Sequence, residues 1–146
     1  MYHKYLRLAV FVICLLTLIA GSVQAVRPTL ILSIVHGDSS PSAAHYFAIV
    51  GMFMLLFGGL MLQGLYSPYP NGIIVRWCAL QKAGASVAVL IGIARGIFSP
   101  LAGLISGFDF FSAIILFSYL SQVRSAADED KVFAGTAGGA TGNSFV

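Results

Sequence analysis

Residues 45–65 read HYFAIVGMFMLLFGGLMLQGL, twenty-one positions without a lysine, arginine, aspartate or glutamate. A bilayer core about 30 Å thick is crossed by about 20 mostly apolar residues in helical form. A helix also satisfies its own backbone hydrogen bonds, which hydrocarbon cannot do for it. Three more stretches meet the same requirement: residues 6–25 (LRLAVFVICLLTLIAGSVQA), 75–97 (VRWCALQKAGASVAVLIGIARGI) and 101–123 (LAGLISGFDFFSAIILFSYLSQV). The reading is therefore all-α: a polytopic transmembrane four-helix bundle over residues 1–124.

Composition agrees. The chain has 146 residues, of which 58% are apolar and 9% charged, against roughly 25% charged in a soluble domain. Eight basic and five acidic side chains cannot cover a water-facing globule, whereas lipid-facing surface needs no such cover. The net charge of +3 and pI near 9.1 do not indicate nucleic-acid binding, because the basic residues are scattered beside the apolar runs and form no cluster. Cys14 and Cys78 lie within apolar segments and form no CxxC, so neither a disulfide framework nor a thiol-redox motif is expected.

The joints carry breaker residues. Pro28, Gly37, Asp38 and Pro41 punctuate the first, whose apolar patch at residues 30–35 is too short to span. The second, YSPYPNG, is a turn in which Asn71-Gly72 favours positive φ. The third, GIFSP, is short enough to make the last two spans antiparallel neighbours. The tail, SAADEDKVFAGTAGGATGNSFV, has an acidic cluster and a small-residue run that cannot bury a core, so residues 125–146 are expected to be disordered.

Basic residues set orientation. Lys4, Arg7, Arg76, Lys82, Arg124 and Lys131 fall on one side, and Arg27 and Arg95 on the other. Both termini are then cytoplasmic if the first segment is retained. The alternative is a cleaved signal peptide, with a basic start, an apolar run and Val23-Gln24-Ala25 as the cleavage site; the remaining three spans keep their orientation.

Asp109 is the principal candidate, because an ionised carboxylate within a span is costly and marks a site or a specific partner. Helical spacing puts Ala102, Ser106 and Ala113 on its face. Lys82 and Arg95 are its possible partners, and Gln81 is a further intramembrane polar group. An interhelical pair that fixes register is the plain expectation; a proton or ligand site inside the bundle is the sharper one. Gly84, Ala88, Gly92 and Gly96 recur every four residues, and Gly103 and Gly107 repeat the spacing. Such stripes let helices pack closely, within the bundle or against another subunit.

His36 and His45 are nine residues apart with Pro41 between them, unlike the HxxxH spacing of ligands on one helix. No metal, haem or quinone site is therefore assigned, although quinone or haem remains a conceivable ligand. Trp77, Tyr66, Tyr69 and Tyr119 read as an interfacial aromatic belt, and Met52, Phe53, Met54, Phe57 and Met61 as a lipid-facing or core face. No hydrolase, P-loop or metalloprotease motif occurs.

Residues 45–124 resemble small bacterial four-helix membrane proteins of the DoxX-like type. The similarity lies in HYFAIVGMFMLLFGGLMLQGLYSP, RWCALQKAGASVAVLIGIARG and SGFDFFSAIILFSYL, with Gly-rich helices and an acidic residue in the last. That resemblance implies a bundle in a bacterial inner membrane and, for some relatives, association with quinol oxidation or a redox partner. It carries over no catalytic residue, and the long first loop and Gly-rich tail depart from it. The functional expectation is a non-catalytic accessory subunit that packs on another membrane protein or on its own copies. The alternative is a quinol-linked, proton-handling or small-molecule-handling membrane protein with Asp109 and Lys82 at its site.

Overall fold

The computed structural model describes residues 2–67 and 71–140. Every regular element in them is helical: α1 (Tyr2–Val26), α2 (Pro28–Ile34), α3 (Pro41–Tyr66), α4 (Gly72–Ala94), a 3-10 turn (Pro100–Ala102) and α5 (Gly103–Ala140). Four stretches are long and apolar enough to cross a membrane: Lys4–Val26, Pro41–Tyr66, Gly72–Ala94 and Pro100–Val123. Only 22–33% of each is buried within the chain. Leu16, Phe53, Leu56, Leu90, Leu104 and Phe111 are among the large apolar side chains left exposed. Exposed apolar surface on this scale is unstable in water and neutral in hydrocarbon, so the fold is that of a multi-pass membrane protein.

Local chemistry sets the ends. Pro28, Pro41 and Pro100 stand in the first turn of their helices, where the missing N–H costs nothing and φ is already helical. Ser40 caps α3, its hydroxyl accepting from the Ala43 N–H, and the Asp38 carboxylate accepts from the Ser40 N–H and hydroxyl. These bonds hold the exposed Asp38 carboxyl below its usual range. Asn71 sits at φ −105° and caps α4 by accepting from the Ile73 and Ile74 N–H groups. The Asn71-Gly72 pair is thus a helix start, not the positive-φ turn expected. Asn is favoured in both settings, and local hydrogen bonding decides between them. Pro68, Tyr69 and Pro70 lie outside the described residues.

Positive φ occurs instead at Gly96 (69°) and His36 (51°) among the described residues. At Gly96 the Ile97 N–H donates to the Gly92 carbonyl and the Gly96 N–H to that of Ile93, the paired bonds of a Schellman ending. α2 ends the same way: the Gly37 N–H reaches Leu32 and that of His36 reaches Ser33. The Ser99 N–H then donates to the Val35 carbonyl at 2.9 Å, tying α2 to the turn between α4 and α5. Beyond Val123, α5 continues as helix to Ala140, where composition led us to expect no regular structure. A helix needs no core to satisfy its backbone, and alanine and the charged residues there are adequate helix formers. Residues 141–146 lie outside the description.

The helices form two antiparallel pairs, α1 with α3 and α4 with α5. In the first pair a Cβ on Gly51 would stand 2.5 Å from the Ala25 nitrogen and 2.9 Å from the Gly21 carbonyl oxygen. The backbones therefore touch, and Gly58 repeats the approach one heptad later against Leu18. In the second pair the facing residues are small or polar: Ala79, Lys82, Ser86, Ala102, Ser106 and Asp109 are all buried. The pairs meet at the end of the bundle where α1 begins, through a cluster including Val10, Cys14, Met61, Leu65, Val75, Leu116 and Leu120. There Arg7 donates to the Leu65 carbonyl and lies over Tyr66, while Trp77 is exposed, as an interfacial belt requires.

The small-residue stripe is used differently from the expectation. Gly84, Gly96 and Gly107 have open space around them, and Gly103 meets only the tip of Ile93. Gly84 and Ala88 are exposed. Gly92 alone of the stripe is tightly enclosed, since a Cβ there would stand 2.6 Å from the Phe98 ring, and Gly96 serves the helix ending. The α4–α5 seam runs instead along Cys78, Lys82 and Ser86, offset by two residues and so roughly 200° around the helix from Gly84 and Ala88. Two faces of α4 carry small residues at helical spacing, and only pairing with α5 decides which one is inside.

Candidate functional site

Towards the α2 end the two pairs part and leave a cavity of about 500 Å³. All four spanning helices and α2 line it. Its walls are apolar, with Val50 and Met54 from α3, Val89 from α4, Ile105 from α5, and Ile34 and Phe98 near the α2 end. Its polar residues are Thr17 and Gln24 of α1, Gln81 and Lys82 of α4, and Asp109 of α5.

The spacing along α4 and α5 builds the floor. Lys82 follows Cys78 by four residues and precedes Ser86 by four, so one buried stripe carries all three. From the 3-10 turn into α5 the buried positions Ala102, Ser106, Asp109, Ala113 and Leu116 repeat at three and four. The antiparallel register puts Ser86 opposite Ser106, hydroxyl to hydroxyl at 3.0 Å, and the Ser106 hydroxyl also reaches the Ser86 carbonyl. One turn on, Lys82 Nζ donates to Asp109 Oδ1 at 2.6 Å. The two side chains are 4% and 8% exposed, so this is a buried, charge-assisted pair near mid-span. The ammonium also lies 5.1 Å from the centroid of the Phe108 ring.

Of the expected polar residues, the structure brings together Asp109, Lys82 and Gln81, with Ser106 one turn away. Arg95 is exposed at the end of α4 and is not the partner of Asp109. Lys82, grouped by sequence with the charges outside the bilayer, stands in the middle of its helix. It is therefore not one of the flanking charges from which sidedness is read. Among the described residues no three of His, Cys, Asp and Glu gather as a metal site; His36 and His45 are both exposed.

Thr17 and Gln24 were not anticipated. Both are buried, Thr17 to 3% and Gln24 to 7% exposure. Gln24 donates to the Phe47 carbonyl, which braces α1 against α3. The Thr17 hydroxyl has no hydrogen-bond partner among the described residues, a deficit of about 1–3 kcal/mol for a buried polar group. Gln81 makes no side-chain hydrogen bond among the described residues. Thr17, Gln81 and Lys82 also line a second, much smaller cavity of about 10 Å³ beside Cys14 and Cys78, so the polar floor lies where the two spaces adjoin. The missed signal was the series Val10, Cys14, Thr17, Gly21, Gln24, spaced four and three in a helix otherwise rich in leucine and isoleucine.

An apolar chamber with a few convergent polar groups is the general form of a small-molecule site. Comparison with protein-family models, with curated proteins and with solved structures gives no match for this chain. The functional reading therefore rests on geometry.

Proposed function

We propose that this protein is a non-catalytic membrane protein that binds a small molecule taken from the bilayer, with the cavity as its binding chamber. The observation that carries the reading is the 500 Å³ space between the helix pairs, floored by Lys82 and Asp109. A well-packed interior has few voids larger than a water, and this one has the size of a ligand site. The neutralised ion pair holds α4 and α5 in register while leaving hydrogen-bonding groups at the floor. Basic-residue asymmetry supports a topology with both termini in the cytoplasm if the first segment is retained and the chamber towards the opposite face, in what the sequence resemblance suggests is a bacterial inner membrane.

The test is mass spectrometry of small molecules extracted from the protein purified in lipid nanodiscs. Wild type retains a compound in stoichiometric amount. Ala85→Phe, which fills the chamber from α4, loses it while keeping its thermal midpoint. Identical content in the filled variant overturns the proposal.

A second reading, an accessory subunit, is favoured by the exposed face of α4. Gly84 and Ala88 are exposed there beside Val87 and Ile91, so another transmembrane helix could approach closely. Replacing Gly84 with leucine would then release a copurifying membrane protein or dissociate a homo-oligomer in mild detergent. Unchanged assembly removes this reading without touching the first.

A further inference from the structure

The polar groups at the chamber floor narrow what can occupy it. The lining contains one cation and one anion, Lys82 and Asp109, and they are already paired at 2.6 Å. Among the described residues no other charged side chain lines the space. A charged ligand entering a low-dielectric chamber needs a counter-charge there, because a bare ion is very costly to remove from water. Here it would have to break the ion pair and leave one member unmatched. An uncharged ligand meets no such barrier.

The same floor offers hydrogen bonding without net charge. The Thr17 hydroxyl, in a residue 3% exposed, has no partner among the described residues. The Gln81 carboxamide makes no side-chain hydrogen bond among the described residues. Lys82 has donors beyond the one directed to Asp109. Towards α2 the lining is mostly apolar, with Ile31, Ile34, Val35, Phe98 and Leu104, and the one polar side chain there, Gln24, already donates to the Phe47 carbonyl. The chamber is polar at one end and greasy at the other, which is the profile of a single amphiphile bound along it.

On the reading that the cavity binds a ligand, on which this inference rests, the geometry points to an uncharged amphiphile with a hydroxyl or carbonyl head. The head lies against Thr17, Gln81 and the Lys82–Asp109 pair, and the apolar body extends towards α2. Gln81 donates to or accepts from the head, the enclosed Thr17 hydroxyl meets it by turning about its Cα–Cβ bond into the chamber, and the ion pair stays closed throughout. Head recognition separates such a ligand from a bulk-lipid acyl chain that merely fills space.

The experiment uses the full chain in lipid nanodiscs and photoreactive probes that share one medium-length alkyl chain with a diazirine near its end. The heads are hydroxyl, carboxylate and ammonium. The hydroxyl probe labels the cavity-lining segments of α3 and α5 saturably and is displaced by the unlabelled alcohol. The charged probes require about tenfold higher concentration for the same labelling, equivalent to one neutral hydrogen bond or more. Thr17→Val raises the half-saturation of the hydroxyl probe about three- to tenfold, and Thr17→Ser restores it; if Thr17→Val does not fold, Gln81→Leu carries the same comparison. Equal or stronger labelling by a charged head overturns the inference while leaving cavity binding intact. Labelling indifferent to head and to both substitutions also overturns it, since the chamber then holds a chain without reading its head. Absence of saturable labelling by any probe removes the binding reading itself, and the inference with it.

Discussion

The two ends of this bundle are built from the same four helices and differ in what fills the space between them. Where α1 begins, Val10, Cys14, Met61, Val75 and Leu116 close the interior, and both helix pairs are held together by ordinary apolar packing. Towards α2 the inward positions shrink or turn polar, at Ala20, Ala85, Ala102, Gln81 and Lys82, and a chamber opens. Each pair nevertheless stays together there, α1 on α3 through the Gly21–Gly51 approach and α4 on α5 through Ser86–Ser106 and Lys82–Asp109. Cohesion within the pairs thus comes from backbone proximity and polar contacts, which need no bulk. That arrangement permits an open space inside a folded bundle.

The largest test of this contrast is at the ion pair. Asp109→Leu strands the Lys82 ammonium among apolar groups, and breaking a buried pair costs about 3–5 kcal/mol. We expect a large fall in thermal stability in detergent, measured by fluorescence-detected gel filtration after heating. The double variant Lys82→Met with Asp109→Leu recovers most of it, because an apolar pair of similar volume carries no desolvation penalty. A single variant as stable as wild type would show that the pair does not hold the open end together.

At the closed end, Leu116, 1% exposed, is the comparable position. Leu116→Ala should cost about 2–5 kcal/mol, whereas Ala85→Leu at the chamber wall should cost less than about 1.5 kcal/mol or raise the midpoint. Equal losses at both positions would mean that the chamber is packed like the core.

Glycine offers a finer comparison. Gly51→Leu must separate α1 from α3, since its Cβ would meet backbone at 2.5 Å, and overpacking of this kind costs about 1–3 kcal/mol or more. Gly84→Leu, with nothing within 4 Å, should shift monomer stability by no more than about 0.5 kcal/mol. Thermal midpoints of the two variants check the ranking.

The smallest effect concerns pH. Asp38 has its carboxyl held below the ordinary value by bonds from Ser40. Its folded pKa is lower than its unfolded one, so its contribution to the α3 start is present above the unfolded value of about 4. It is lost as pH falls through the folded value. Asp38→Asn should lower the neutral thermal midpoint slightly and flatten its acid-side loss, so that the two proteins converge as pH falls.

Much of this was legible before any coordinates. Span number and approximate limits follow from run length and hydropathy, because the energetic demand of hydrocarbon is local and acts on each helix separately. The partnership of Lys82 with Asp109 was accessible for a related reason: two opposite charges inside an apolar bundle have few places to go. The glycines were harder. Gly84 and Ala88 have the periodicity of a packing seam yet face outwards, while Gly51 and Gly58, a heptad apart on α3, carry the close contact. Periodicity names a face of a helix and does not name its neighbour. Thr17 and Gln24 went unread because uncharged polar residues are inexpensive enough within a span to raise no alarm.

By itself the sequence determined that the chain lives in a bilayer, that it crosses with four helices, and that Asp109 requires a partner. These outcomes depend on the transfer energies of side chains and peptide groups, which are summed along one segment at a time. Only the tertiary structure decided that the helices pair as α1 with α3 and α4 with α5, and that the pairs diverge to leave a chamber above the Lys82–Asp109 floor. Such features depend on rotation and register between segments distant in the chain. Several pairings of similar apolar helices bury comparable surface, and close backbone approach together with a few interhelical polar contacts separates them.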